Sequence, residues 1–207
     1  MRSRKKGTKK NGALVLVGSL LLSTLTFLCG PGGSDKRTAY AETDQNSEVS
    51  AKAFLIVSQT LLHPRCVNCH PEGDSPLVGD QSRPHPMSIK RGPDGVGVAG
   101  LSCKACHQDN NLPEEHTPPG APQWRLPTKN MPMVFQKRTP RQLCEQLKDP
   151  AQNGGRNLDQ ILVHVREAPL VLWGWNPGNR RTPAPGSHDE FVRVMTEWVI
   201  KGAACPE

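Results

Sequence analysis

The pattern Cys-x-x-Cys-His occurs twice, as Cys66-Val67-Asn68-Cys69-His70 and Cys103-Lys104-Ala105-Cys106-His107. It constrains this chain more than any other feature. Two thiols at that spacing reach the two vinyl groups of one haem, and the histidine that follows turns its imidazole to the iron as proximal ligand. A covalently held macrocycle would also fill space that side chains fill in other domains. That suits a chain of 207 residues with 20 prolines, 19 glycines and 35% apolar residues, a composition that leaves few long regular elements. The reading predicts two haem c groups, held through Cys66, Cys69, Cys103 and Cys106 with His70 and His107 on the irons.

Other uses of paired cysteines were weighed. A redox dithiol sits in a βαβ setting that this proline-rich sequence lacks. Two Cys-x-x-Cys pairs can share a zinc ion, but the gap from Cys69 to Cys103 exceeds the usual ribbon spacing. Plain disulfides are a third use. None of the three accounts for a histidine after both pairs.

The net charge of +7 invites a nucleic-acid or membrane reading. Residues 1–41, however, hold eight of the 26 basic and one of the 19 acidic side chains, so the remainder has 18 of each sign. The nucleic-acid reading is dropped on that ground. Arg2, Arg4, Lys5, Lys6, Lys9 and Lys10 precede an apolar stretch from Ala13 to Cys29, and Ala39-Tyr40-Ala41 offers a small-x-small cleavage site. Residues 1–41 are thus expected to be a signal peptide cleaved after Ala41, with an uncleaved membrane anchor as the alternative. A lipoprotein is disfavoured by the bulky Leu28 before Cys29. Residues 42–207 would form the exported, periplasmic domain.

Cys144 and Cys205 are left over, and an oxidising compartment favours joining them. The chain-entropy model gives such a loop roughly 4 kcal/mol of stabilisation. Helix signals are plain in the C-terminal half. Thr139 with Gln142, Asn157 with Gln160 and Ser187 with Glu190 each open an apolar stripe, and Gly202 closes the last one. Ser50 to Leu62 reads as a further short helix, followed by loop to about Pro132. The predicted fold class is therefore mostly α with extensive coil, a compact dihaem cytochrome c in which a few short helices pack around two haems.

The distal iron ligands are open among several residues. His85, in Arg83-Pro84-His85-Pro86-Met87, is the first choice because flanking prolines hold it in a rigid extended presentation. His63 and His164 compete with it, as do Met131 and Met133 in Asn130-Met131-Pro132-Met133. For each the alternative is an ordinary packed or solvated side chain. Trp173 and Trp175 could lie on a haem face, and Arg180 and Arg181 could pair with haem propionates, with surface and core roles equally open.

Several segments together resemble a family of small secreted dihaem cytochromes often labelled isoquinoline 1-oxidoreductase subunit. They are His63-Pro64-Arg65-Cys66-Val67-Asn68-Cys69-His70-Pro71, Arg91-Gly92-Pro93-Asp94-Gly95, Gly120-Ala121-Pro122-Gln123-Trp124, Asn153-Gly154-Gly155 and Trp173-Gly174-Trp175-Asn176-Pro177-Gly178. The resemblance spans roughly residues 60 to 206. It implies association with a molybdenum hydroxylase from which this chain would accept electrons. The stretch from His85 to Cys103 is also similar to the dihaem small subunit of periplasmic nitrate reductase, where a similarly placed histidine is a distal ligand. Electron transfer with protein redox partners is the expected function, without enzymatic chemistry of its own and without nucleic acid. A peroxidase-like haem enzyme, or a redox or gas sensor, is the alternative and requires one open iron.

Overall fold

The computed structural model describes the backbone of residues 36–207 and the side chains from residue 42 onward. The expected export segment lies outside the described residues as far as residue 35. The expected cleavage junction after Ala41 falls inside the first helix. Among the described residues no helix is long and apolar enough to cross a membrane.

The described chain is mostly helical with little sheet. Helix α1 runs over Lys36–Leu61, well before the expected start at Ser50. No proline or glycine interrupts it, but residues 42–49 are largely exposed and carry no apolar stripe for periodicity to detect. From Ser50 onward Ala53, Phe54, Val57 and Leu61 make the buried face. The short α2, Pro64–Val67, follows with proline at its first position and His63 as N-cap.

Helices α3 (Pro140–Lys148) and α4 (Leu158–Glu167) open with the two predicted reciprocal caps. Gln142 N–H donates to Thr139 Oγ1 at 3.2 Å and Gln160 N–H to Asn157 Oδ1 at 2.8 Å, and both glutamine side chains accept in return. A five-residue helix α5, Pro169–Trp173, was not foreseen. Helix α6 (His188–Ile200) is capped by Ser187, but Glu190 turns to Arg193 at 2.7 Å, so its box is half formed.

These helices pack chiefly on one another. Helices α1, α3, α4 and α6 enclose Phe54, Leu143, Met195 and Trp198, with Phe54 and Trp198 ring centres 4.8 Å apart. The buried Ser50 hydroxyl donates to Trp198 O at 2.7 Å and accepts from Ala204 N–H at 2.9 Å. Cys144 and Cys205 are joined as expected, bridging α3 to the end of the chain. The helices share a core of their own side chains, and α1 at 26 residues is longer than the short helices expected.

The segment between α2 and α3 is largely coil, with two ladders of two residues a side. Strands β1 (Leu77–Val78) and β2 (Arg83–Pro84) pair antiparallel, as do β3 (Gly97–Val98) and β4 (Leu101–Ser102). Each ladder ends where chemistry begins. Strand β2 leads straight into His85, and β4 into the 3-10 turn Cys103–Ala105. Gly97 has a φ of 97°, and a Cβ there would run into the Leu101 carbonyl. Only glycine lets β3 and β4 close and so deliver Cys103.

Candidate functional site

The two motif histidines are held in the same way. His107 Nδ1 lies 2.7 Å from the Pro119 carbonyl, and its ring stacks on Trp124 at 4.4 Å and 6°. His70 Nδ1 lies 2.7 Å from the Met133 carbonyl, and its ring stacks on Phe135 at 4.0 Å and 9°. A carbonyl only accepts, so in both rings the proton sits on Nδ1 and the lone pair on Nε2. That is the tautomer a metal-ligating histidine adopts when a backbone carbonyl orients it. Desolvation takes the His70 imidazole down to about 4, the Met133 bond opposes this, and His164 and Arg91 add to the fall. Burial likewise lowers His107, against its Pro119 bond. Both rings are therefore neutral near pH 7.

His85 shares the pattern. Its Nδ1 donates to the Pro86 carbonyl at 2.6 Å, leaving Nε2 free, and its ring centre lies 6.2 Å from that of His107. Two imidazoles sharing one metal through Nε2, with bonds of about 2 Å each and about 1.1 Å from nitrogen to ring centre, hold their ring centres about 6 Å apart. The His85 and His107 rings stand at that separation.

His63 has the opposite arrangement. Its Nδ1 accepts from the Arg65 N–H at 3.3 Å as the cap of α2, which puts the proton on Nε2. In this conformation it has no lone pair to give a metal. His164, on α4, is near enough to His70 to influence its charge, but the two rings make no ring contact. Met131 and Met133 do not line the cavity described below, and Met133 packs against the helical core. The Met133 carbonyl sits behind His70, on the Nδ1 side. His188 bonds the Val165 carbonyl through Nε2 at 2.8 Å and packs edge-on against Trp175.

A cavity of about 450 Å³ opens between the two motifs, within the roughly 300–1,000 Å³ range of ligand and cofactor pockets. Cys69 from the first motif and Cys103, Cys106 and His107 from the second line it, together with His85. The two Cys-x-x-Cys-His segments thus share a wall. Cys66 turns instead toward the helical core. None of the four motif cysteines is disulfide-bonded, while Cys144 and Cys205 are. Desolvation pushes the Cys66 thiol up to about 12 and the Cys69 thiol up to about 11, so both stay protonated. Among the described residues no group of three or more His, Cys, Asp or Glu converges as a metal cage would require. A haem asks for less, since its ring supplies four ligands and the chain one or two.

The tryptophan and arginine pairs divide. Trp173 and Arg181 line the cavity. Trp175 packs on Phe191 at 5.1 Å, and Arg180 points outward to Glu115 at 3.0 Å. Arg65, which sequence reasoning gave no role, is buried at the cavity wall with its guanidinium 5.8 Å from the Trp173 ring centre. Phe135, Trp124 and the Pro119 carbonyl were missed as well. The sequence signals near them were the Gly120-Ala121-Pro122-Gln123-Trp124 segment and the Asn130-Met131-Pro132-Met133 loop. No protein-family model, curated protein or solved structure matches this chain.

Proposed function

We propose that this chain is an exported dihaem c-type cytochrome that passes electrons between protein partners in the periplasm. The observation that carries the reading is the set of three histidines, His70, His107 and His85, each with Nδ1–H committed to a backbone carbonyl and Nε2 free. Two of the three follow Cys-x-x-Cys, and the ring centre of the third lies 6.2 Å from that of His107.

When bound, each haem supplies a one-electron iron couple. Cys66 and Cys69 would hold the first and Cys103 and Cys106 the second. His70 and His107 would stand on the proximal sides, with His85 distal on the second. Phe135 and Trp124 fix the planes of the proximal rings, and the carbonyls of Met133 and Pro119 raise their basicity. Cys69 and the second motif share one cavity wall, which supports a short relay between the two groups. The resemblance to dihaem subunits makes a molybdenum hydroxylase one candidate donor.

Intact mass tests the reading. Protein exported in a host competent for haem attachment should exceed its polypeptide mass by two haems. Replacing Cys66 and Cys69, or Cys103 and Cys106, by alanine should remove one each. A parent mass without haem would overturn the proposal.

One observation favours a second reading for the first group. His70 has no imidazole facing it as His85 faces His107; its ring partner is Phe135. A haem held there with an open distal side would bind small ligands, as an enzyme or sensor does. Carbon monoxide added to the ferrous protein decides. No binding means His164 or another residue closes that iron and the carrier reading stands, whereas strong binding moves the function toward the alternative.

A further inference from the structure

The loop before α6 puts a positive charge into the cavity without a counter-charge. Asn179 and Arg180 both take left-handed backbone conformations, with φ of 48° and 60°. That turn sends Arg180 out to solvent and Arg181 in to the cavity wall. Arg181 Nη1 donates to the carbonyls of Pro177 and Gly178 at 3.0 and 3.4 Å, and Nη2 to that of Thr117 at 2.6 Å. Three carbonyls orient the guanidinium but do not neutralise it. Among the described residues no carboxylate pairs with it.

Its neighbour Arg65 differs. The side chain is 4% exposed, its Nη2 is paired with Asp80, and its Nε donates to Thr182 O at 2.8 Å. Asp80 also accepts from the Thr182 hydroxyl at 2.6 Å. The Arg65 charge is therefore met within the chain, and the Arg181 charge is left over in a wall otherwise built mainly from apolar groups. A partly desolvated guanidinium without a partner is costly, and a planar fork of donors suits a carboxylate.

Resting on the reading above, we propose that Arg181 binds a propionate carboxylate of the haem attached at Cys103 and Cys106, and that its charge raises the reduction potential of that haem. An added positive charge near the iron disfavours the ferric form, which carries one more unit of charge than the ferrous form. The three carbonyl bonds hold the guanidinium in place beforehand, so little ordering is needed when the carboxylate arrives.

The test uses the full, haem-loaded protein in three forms: parent, Arg181→Gln and Arg181→Lys. Intact mass is read first. Absence of haem at the second motif in the parent would sink the haem reading itself, and this inference with it. With two haems present, the potential of the haem that His85→Ala perturbs is measured by spectroelectrochemistry. Arg181→Gln should shift it to lower potential and leave the other haem near its parental value. Arg181→Lys, which keeps the charge but not the fork, should restore most of the shift. An unchanged potential in Arg181→Gln overturns the proposal. So does an equal shift in the lysine variant, which would show that Arg181 only braces the loops at residues 117 and 177–178.

Discussion

A histidine ring has two nitrogens, and what occupies one determines what the other can do. Among the described histidines the backbone makes that choice at Nδ1 in four. Carbonyls claim Nδ1 of His70, His85 and His107, while an N–H claims Nδ1 of His63. The two classes predict different variants. On the proposed dihaem reading, His85→Ala should keep both covalent haems, convert one from low to high spin and create carbon monoxide binding at that iron. An unchanged spectrum would return His164 or the methionines to the distal position. His63→Ala should leave the spectrum alone and cost about 1 kcal/mol through loss of the α2 cap, measured by denaturant unfolding. A change of spin state there would contradict the tautomer argument.

At the scale of elements, the helices are built from short-range signals and the site is not. Asn157 and Gln160 satisfy each other's backbone N–H groups at 2.8 and 3.0 Å, so Asn157→Ala should destabilise by about 1 kcal/mol with no change in haem content. The same locality made α3, α4 and α6 legible: a capping residue, its partner three positions on and an apolar stripe lie within one or two turns. The Cys-x-x-Cys-His segments were legible for the same reason. The ladders β1–β2 and β3–β4, at two residues a strand, are too short for alternation to register. Residues 42–49 of α1 are largely exposed and offer no stripe. The Pro119 and Met133 carbonyls and the stacked Trp124 and Phe135 depend on where distant loops pass, and no spacing rule encodes that. Arg181 was singled out only as one of an adjacent pair, and the left-handed backbone at Asn179 and Arg180 sends the two side chains in different directions.

Across the whole molecule, side chains from four helices make one core, and the disulfide ties α3 to the last residues at a sequence separation of 61. Replacing Cys144 and Cys205 by alanine should cost about 2–5 kcal/mol of stability. Haem spectra below the unfolding transition should not move, because neither cysteine lines the cavity. Spectral change in the folded double variant would mean that the core positions the site more directly than the packing indicates.

Left-handed residues other than glycine include Met87 and Ser88 after His85, His116 and Gln123 around Pro119, and Asn179 and Arg180 before Arg181, all in loops that frame the cavity, as well as Met133 behind His70. Each such conformation costs of the order of 1–3 kcal/mol and persists where surroundings over-determine it. The helical core packs on its own side chains, whereas these loops hold strained backbone around a cavity. On the proposed reading this sets an order of assembly. The helices can close once α6, the last of them, has joined α1, and the loops would reach their final tension only once the cofactors are fastened, so loading would be the last step of folding rather than an addition to a finished protein.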